Sequence, residues 1–200
     1  MITKKLITSL FFSLFGLIII VSFNPIKTFA YDYPNGSKAK AGDILISKET
    51  NCKPDCKGLT GHAAIVVNSD YFVHIAGPGY NPSKERLSKW FNTRYGKKIK
   101  VVRPTSAYKG SAKKAAAWAN NYVKKYPNAK YSIWSSSASF NKTYCSKLVW
   151  QAFYYGSKGY PIVARKYFDK IHPYDFSIAA SGGKYAKLKT VYKNWWLVRR

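Results

Sequence analysis

The chain has 200 residues, 34 of them Lys or Arg and 8 of them Asp or Glu, which gives a formal net charge of +26. A hydrophobic content of 46% is ordinary for a globular protein and excludes a chain that is disordered throughout. Three cysteines are too few for a miniprotein built on disulfides.

The first 30 residues have the pattern of a secretory signal peptide. Lys4 and Lys5 precede an almost unbroken apolar run over residues 6–23, and small residues end the segment at Ala30. An uncleaved membrane anchor is the alternative, because about 18 apolar residues can span a bilayer. We expect a signal peptide at 1–30 and a single domain at 31–200 that is secreted and associated with the cell wall.

The predicted elements after the signal peptide are short strands and helices bounded by Gly, Pro, Asn and Ser. In chain order they are a strand at 42–46, two strands at 62–67 and 71–75 joined by the turn 68–70, a short helix capped by Ser83, a strand at 98–103, a helix capped by Ser111 and ended by Pro127, a serine-rich connector at 134–140, a helix at 143–155 stopped by Gly156, and a strand region at 185–198.

Two of the three cysteines lie in one polar loop. Cys52 and Cys56 are four residues apart in a segment with its own Pro and Gly, and in an oxidising compartment they could form a disulfide or remain free thiols. We expect no metal site, because no further Cys or suitably spaced His lies nearby. Cys145 is left as an odd cysteine, which in an exported protein is a candidate reactive thiol.

The positive charge predicts anionic partners. Loss of residues 1–30 removes three lysines and no acid, which leaves +23, and no acidic residue occurs between Glu85 and Asp169. Such a field attracts wall polymers, peptidoglycan or an anionic membrane surface, although solubility alone is an alternative explanation. Specific nucleic-acid binding is not expected, because no zinc finger, helix-turn-helix or RNA-binding signature is present.

Two histidines fall on the two arms of the predicted hairpin. With the three-residue turn 68–70, His62 and His74 project from the same face on opposed or diagonal positions. One imidazole is then close enough to orient the other through a hydrogen bond. A turn of even length would break this relationship.

Cys145 lies in the first turn of a predicted helix. Unpaired N–H groups and the helix dipole at such a position favour the thiolate, so we expect a lowered pKa and a more reactive sulfur. The residues together fit a Cys–His–polar triad, with Cys145 as the nucleophile, His62 as the general base and His74 as the orienting group. The competing interpretation is a buried core cysteine with two structural histidines.

Four segments in this order resemble the circularly permuted branch of the NlpC-type papain-like peptidases. They are Ala-Gly-Asp-Ile-Leu at 41–45, Gly-His-Ala-Ala-Ile-Val-Val at 61–67, Phe-Val-His-Ile-Ala at 72–76 and Tyr-Cys-Ser-Lys-Leu-Val-Trp at 144–150. In standard members the catalytic Cys precedes these strands, whereas here it follows them. That order is similar to the YiiX/YebB-like amidases and the lecithin retinol acyltransferase group.

The resemblance implies a permuted papain-like α+β fold, in which an antiparallel sheet carrying both histidines packs on the helix that presents Cys145. It implies a thiol amidase or peptidase that works through an acyl-enzyme without metal or organic cofactor. His74 matches the third polar position, where YiiX-type members can carry a carboxylate. Tyr144 is a candidate oxyanion donor, with core packing as the alternative role.

Three functions follow from these patterns as hypotheses. The first is hydrolysis of amide bonds in peptidoglycan stem peptides or another envelope conjugate. The second is acyl chemistry on lipids, since the acyltransferase group shares the His-x11-His spacing and Trp195-Trp196 beside Arg199-Arg200 could touch a membrane. The third is a catalytically idle cationic module that binds wall polymers.

Overall fold

The computed structural model describes residues 30–49, 61–92, 98–157, 162, 170–182 and 187–194. The expected signal peptide before residue 30, the pair Cys52 and Cys56, and the end of the chain with Trp195-Trp196 lie outside the described residues. The predictions made for those segments therefore stay predictions.

The described residues form an α+β structure with an antiparallel sheet, which confirms the predicted class. The strands are β1 (Ile44–Ser47), β2 (His62–Val66), β3 (Tyr71–Ile75), β4 (Pro82–Arg86), β5 (Ile99–Pro104), β6 (Lys130–Tyr131), β7 (Lys142–Thr143) and β8 (Leu188–Lys193). The helices are α1 (Leu87–Asn92), α2 (Lys109–Lys125), α3 (Cys145–Gly156) and α4 (Pro173–Ala179), and a 3₁₀ turn at Ser106–Tyr108 precedes α2.

The main sheet has the strand order β4-β3-β2-β1-β5-β8 among the described residues, and every neighbouring pair is antiparallel. Strand β1 lies in its centre, which explains why all four of its residues are buried. A separate small ladder pairs β6 with β7 in parallel immediately before α3.

Alternation along the strands divides the core into two clusters. On one face, Ala63, Ile65 and Val73 pack with Leu148 and Val149 of α3. On the opposite face, the buried cluster contains the following residues: Tyr33, Ala39, Leu45, Ala64, Val66, Phe72, Leu87, Trp90, Ile99 and Val101. The sheet is therefore covered on both sides, and α2 and α3 lie together on one of them.

Helices α2 and α3 approach each other closely at Gly156. A Cβ added at this glycine would lie 2.8 Å from the Lys114 carbonyl oxygen, so only glycine fits this contact. We predicted Gly156 as a stop signal beyond the helix, but it is the last residue of α3 and Ser157 is the C-cap. The glycine is required by helix packing instead.

Several predicted boundaries were wrong. Ser83 does not cap a helix, because residues 82–86 form β4 by pairing with β3, and the helix starts only at Leu87. Helix α2 begins at Lys109 after the 3₁₀ turn, which places Ser111 inside it. Helix α3 begins at Cys145 because residue 143 pairs with Tyr131 in the small ladder.

The Asp of the Gly-Asp strand motif has a structural role. Asp43 is fully buried, and its carboxylate accepts hydrogen bonds from Arg103 Nε at 2.6 Å and from Tyr33 Oη at 2.7 Å. The Lys40 N–H donates to the same carboxylate at 2.9 Å. These bonds connect strand β5 with the segment that precedes β1.

Among the described helices, none combines the length and the apolar content that a bilayer crossing needs.

Candidate active site

The two histidine rings are in direct contact. Strands β2 and β3 pair Ile65 with Val73, and the Val67 N–H donates to the Tyr71 carbonyl across the three-residue turn 68–70. His62 and His74 therefore share one face of the sheet on diagonal positions. Nε2 of His62 lies 2.9 Å from Nδ1 of His74. The same-face hydrogen bond that the hairpin predicted is therefore present in the structure.

Both rings are buried in an aromatic environment. His62 is 2% exposed and His74 is 1% exposed. The His62 ring stacks on Trp90 with a centroid distance of 5.4 Å, and Phe72 packs edge-on against His74 at 5.0 Å. This aromatic packing fixes the orientation of both imidazoles. Alternation with Ala64 on β2 and Phe72 on β3 places both rings on the face of the sheet opposite to the bulk of α3.

The Cys145 sulfur contacts the backbone of β2 at the residue after His62. The N–H of Val66 donates to the carbonyl of Asp43 just before β1, and the N–H of Val67 donates to the carbonyl of Tyr71 at the start of β3, so the Ala63 N–H points toward the β3 side by alternation. The described pairing of β2 with β3 stops at Ile65, so the Ala63 N–H makes no hydrogen bond within that pairing. The Cys145 sulfur, at the first residue of α3, accepts a hydrogen bond from it. The thiol thus lies at the residue next to His62.

Ile171 holds the first turn of α3 through hydrogen bonds to the residues on either side of Cys145. The Ile171 N–H donates to the Tyr144 hydroxyl at 3.0 Å, and the Ser146 hydroxyl donates to the Ile171 carbonyl at 2.7 Å. Cys145 lies between these two anchors and is 4% exposed. The Tyr144 hydroxyl therefore has a structural partner, and its role as an oxyanion donor stays a prediction.

A carboxylate that sequence reasoning missed completes the chain of contacts. Glu85 on β4 lies with Oε1 3.4 Å from His74 Nε2, which is long for a hydrogen bond but close for an electrostatic contact. Its other oxygen accepts from Lys89 Nζ at 2.9 Å. The contact with His74, and after it the one with Lys89, lowers the pKa of Glu85 to about 2. Because Ser83, Lys84, Glu85 and Arg86 are all polar, no alternation of apolar and polar residues in the sequence indicated this strand.

The Glu85 carboxylate favours one arrangement of the imidazole protons. An ionised carboxylate only accepts, so the contact with His74 is favourable when His74 carries its proton on Nε2. Nδ1 of His74 then holds a lone pair and accepts from the Nε2–H of His62. Nδ1 of His62 is left without a proton, which is the state that a general base requires.

Burial keeps both the thiol and the imidazole neutral. Burial lowers the pKa of His62 well below its usual value, the neighbouring His74 lowers it further, and Glu85 opposes both. Burial raises the pKa of the Cys145 thiol, although the N–H groups of Ala63, Ser146 and Cys145 act in the opposite direction. The expected lowered thiol pKa is therefore wrong, because desolvation outweighs the helix start. The resting site is a neutral thiol beside a neutral base.

A buried lysine holds the segment in front of α3. Lys147 is 1% exposed, and its ammonium group donates to the Lys142 carbonyl at 2.6 Å and to the Ser135 hydroxyl at 3.0 Å. Burial lowers the pKa of Lys147 to about 8. Gln151, one turn later, donates to the carbonyls of Ser137 and Ser139. The serine-rich connector is thus fixed to the helix that carries the thiol.

The described residues hold no group of three or more His, Cys, Asp or Glu side chains arranged to bind a metal ion. His62 and His74 direct ring nitrogens at each other instead of at a shared point. The donor set that the described residues place at this site does not fit a metal ion.

The fold and the site define an α+β protein in which a buried thiol is hydrogen-bonded to the strand backbone one residue from a hydrogen-bonded imidazole pair. The chain matches the family described as "Lipoprotein N-acylation protein LnsA-like" over residues 4–189. Because this match covers most of the chain, the protein belongs to the LnsA-like family.

Two further proteins are similar to this chain. An uncharacterised 30.3 kDa protein of Bacillus thuringiensis is 36% identical over 131 residues, which are 61% of this chain and 46% of the relative, so the chain spans about half of that relative's length. The crystal structure of the metalloprotein YiiX from Escherichia coli O157:H7 is similar with a TM-score of 0.50 and 21% identity, over 78% of this chain and 98% of that one. The second similarity supports a YiiX-like fold.

Proposed function

We propose that this protein is a cysteine acyltransferase, which carries an acyl group on Cys145 as a thioester and transfers it to an amine. One observation carries the proposal: the buried Cys145 thiol accepts a hydrogen bond from the Ala63 N–H, one residue along β2 from His62, whose ring is joined to that of His74 at 2.9 Å. The description of the family as a lipoprotein N-acylation family directs the proposal toward a lipid acyl donor and a lipoprotein amino group as acceptor.

In the first half-reaction the sulfur attacks the ester carbonyl of the donor lipid. The thiol proton passes to Nδ1 of His62 as the C–S bond forms. The ester C–O bond then breaks, and the departing alcohol takes the proton from His62. Cys145 is left as a neutral thioester, and the positive charge on His62 exists only during the transfer.

In the second half-reaction the acceptor amine attacks the thioester carbonyl. The C–N bond forms, the C–S bond breaks, and a proton of the amine returns through His62 to the sulfur. The net change is ester plus amine to alcohol plus amide. Water as the acceptor would give a fatty acid, so a site that excludes water favours transfer over hydrolysis.

The positive charge that forms transiently on His62 is stabilised by its contacts with His74 and, beyond it, Glu85. His74 accepts the Nε2–H of His62 and faces Glu85, so the carboxylate favours the imidazolium without taking a proton. The N–H groups of Ala63 and the first turn of α3 lie at the sulfur, where they could stabilise a developing oxyanion.

The envelope amidase predicted from the sequence uses the same acyl-enzyme, with a peptide carbonyl in place of the ester. We favour the acyl donor because of the family placement. We further propose that the protein acts outside the cytoplasm, and that its positive charge holds it at an anionic envelope surface.

The test uses the purified full chain, phosphatidylglycerol vesicles and a synthetic lipopeptide with a free amino terminus. Mass spectrometry should show the gain of one acyl chain on the amine, and a thioester on Cys145 when the peptide is omitted. Cys145→Ala and His62→Ala should abolish transfer, while His172→Ala, at an exposed histidine outside the site, should keep it.

Two results would overturn the proposal. One is full acyl transfer by Cys145→Ala. The other is release of amino groups from purified peptidoglycan by the same preparation without any acylation of the peptide, which would support the amidase.

A further inference from the structure

A cavity of about 480 Å³ opens at the other end of the main sheet. It lies where the first turns of α2 meet the residues that follow β5, and Asn68 and Ser69 of the β2–β3 turn also line it. His62 begins β2 at the opposite end. With a rise of about 3.3 Å per residue, the five residues of β2 alone separate the cavity from the thiol site by about 13 Å.

The rim of the cavity is strongly cationic. Lys40, Lys109, Lys113 and Lys189 come from three separate segments of the chain and all line this one opening. Arg103 also lines it, but its guanidinium donates to Asp43 Oδ1 at 2.6 Å and is thereby neutralised.

The four lysines lack such compensation. None of them makes an ion pair or a side-chain hydrogen bond with any residue that the structure describes. The α2 helix has no acidic residue in its first turn to balance Lys109 and Lys113. Four like charges around one opening repel each other, and an anion bound between them would relieve that repulsion.

The floor of the cavity differs from its rim. Ala39, Ala41, Ala112 and Pro104 supply small apolar surfaces below the lysines. Gly42 permits this shape, because its φ of +86° and its contact with Ala112, where a Cβ would lie 2.5 Å from the alanine Cβ, exclude any side chain. The volume lies within the range of small-molecule sites and exceeds what a bare ion requires.

We propose that this cavity binds a phosphate ester, with the phosphate held by the four lysines and a short carbon skeleton, such as glycerol, on the alanine floor. Lysine ammonium groups bind phosphate as point charges, and several can share one phosphate. The ester can belong to a lipid headgroup or to a soluble glycerophosphate. The proposal does not depend on the acyltransferase, because the two sites share no residue.

The first experiment measures binding of sn-glycerol 3-phosphate by calorimetry, with glycerol as the uncharged probe. The wild type should bind the phosphate ester and not glycerol. Lys109→Gln/Lys113→Gln/Lys189→Gln should weaken binding by at least about tenfold, equivalent to about 1.4 kcal/mol. The matched control, Lys124→Gln/Lys125→Gln/Lys130→Gln, removes the same charge from exposed positions of the chain outside the cavity and should bind like the wild type.

The second experiment identifies the source of the ester by co-sedimentation with phosphatidylglycerol vesicles, using phosphatidylcholine vesicles as the reference. If Lys109→Gln/Lys113→Gln/Lys189→Gln binds both the vesicles and the soluble ester more weakly than the wild type, the site accepts both forms of the ester. If binding of only one probe is weakened, that probe represents the natural source of the ester. Equal binding by the two triple variants to both probes, or no binding by the wild type, would overturn the proposal. Cys145→Ala should bind unchanged, which separates this test from that of the acyltransferase.

Discussion

His62 Nε2 lies 2.9 Å from His74 Nδ1, on the face of the sheet opposite to the helix that carries Cys145. The described pairing of β2 with β3 stops at Ile65, and beyond that point the Cys145 sulfur accepts the Ala63 N–H, one residue from His62. Glu85 then sets the proton positions of both rings from the far side of His74. The base, its orienting group and the carboxylate come from three adjacent strands.

Glu85→Gln tests the carboxylate at the end of this chain of contacts. We expect transfer to slow by about tenfold, because the imidazolium of His62 loses a stabilising charge, and general-base catalysis is worth about 10²–10⁴ in all. The acid limb of the pH–rate profile should also move to lower pH, since Glu85 raises the pKa of His62. Measured rates between pH 4 and 9 would show both effects.

The matched control is Asp70→Asn, which removes an exposed carboxylate that pairs with Arg86 at 3.4 Å on the same hairpin. It should leave the rate and the pH profile unchanged. A Glu85→Gln variant with wild-type rate and profile would mean that the carboxylate has no part in the reaction. His74→Ala should likewise leave a slower enzyme instead of an inactive one.

The thiol should alkylate slowly at neutral pH. Burial raises the pKa of Cys145, so the thiolate fraction at a given pH is below that of an ordinary cysteine and grows as the pH rises past the usual range. The rate of iodoacetamide labelling, read on the Cys145 peptide by mass spectrometry between pH 5 and 10, should climb through the alkaline region. Rapid labelling at pH 6, lost in His62→Ala, would instead indicate a resting ion pair.

Lys147 should make stability depend on pH above neutrality. Its pKa is lowered to about 8 in the folded protein and is near 10.5 when unfolded, so between these values the unfolded chain binds more protons. The free energy of unfolding should therefore rise from pH 8 to 10.5 relative to Lys147→Met, which carries no such group. Urea unfolding of both proteins across that range measures the difference, and parallel curves would contradict the assignment.

The Asp43 carboxylate should be a large contributor to stability. Asp43→Asn leaves Arg103 and Tyr33 without their charged partner, and Asp43 is fully buried while the Arg103 side chain is 18% exposed. We therefore expect a loss toward the lower end of the about 3–5 kcal/mol that breaking a buried pair costs. Asp32→Asn is the comparison, because Asp32 pairs with Lys38 at 2.8 Å on the surface, where such pairs contribute about 0–1 kcal/mol. Equal midpoints of urea unfolding for the two variants would show that the buried pair is not needed.

Local sequence patterns were sufficient to predict many of the strands and helices. The strands around His62 and His74, the three-residue turn between them and the apolar stripe of α2 follow from alternation, turn chemistry and helical period, which act over a few neighbouring residues. The boundaries at Ser83 and Ser111 failed because pairing with β3 and the 3₁₀ turn overrode the local capping preference.

The sequence by itself determined which groups could react: a lone cysteine near a helix start, and two histidines with the parity that places them on one face. Only the tertiary structure decided their protonation and their supporting contacts. Burial raised the pKa of Cys145 against the effect of the helix start, and Glu85 reached His74 from a strand for which the sequence had predicted a helix. Desolvation and contacts between distant segments depend on the whole packed molecule, and therefore no local pattern contains them.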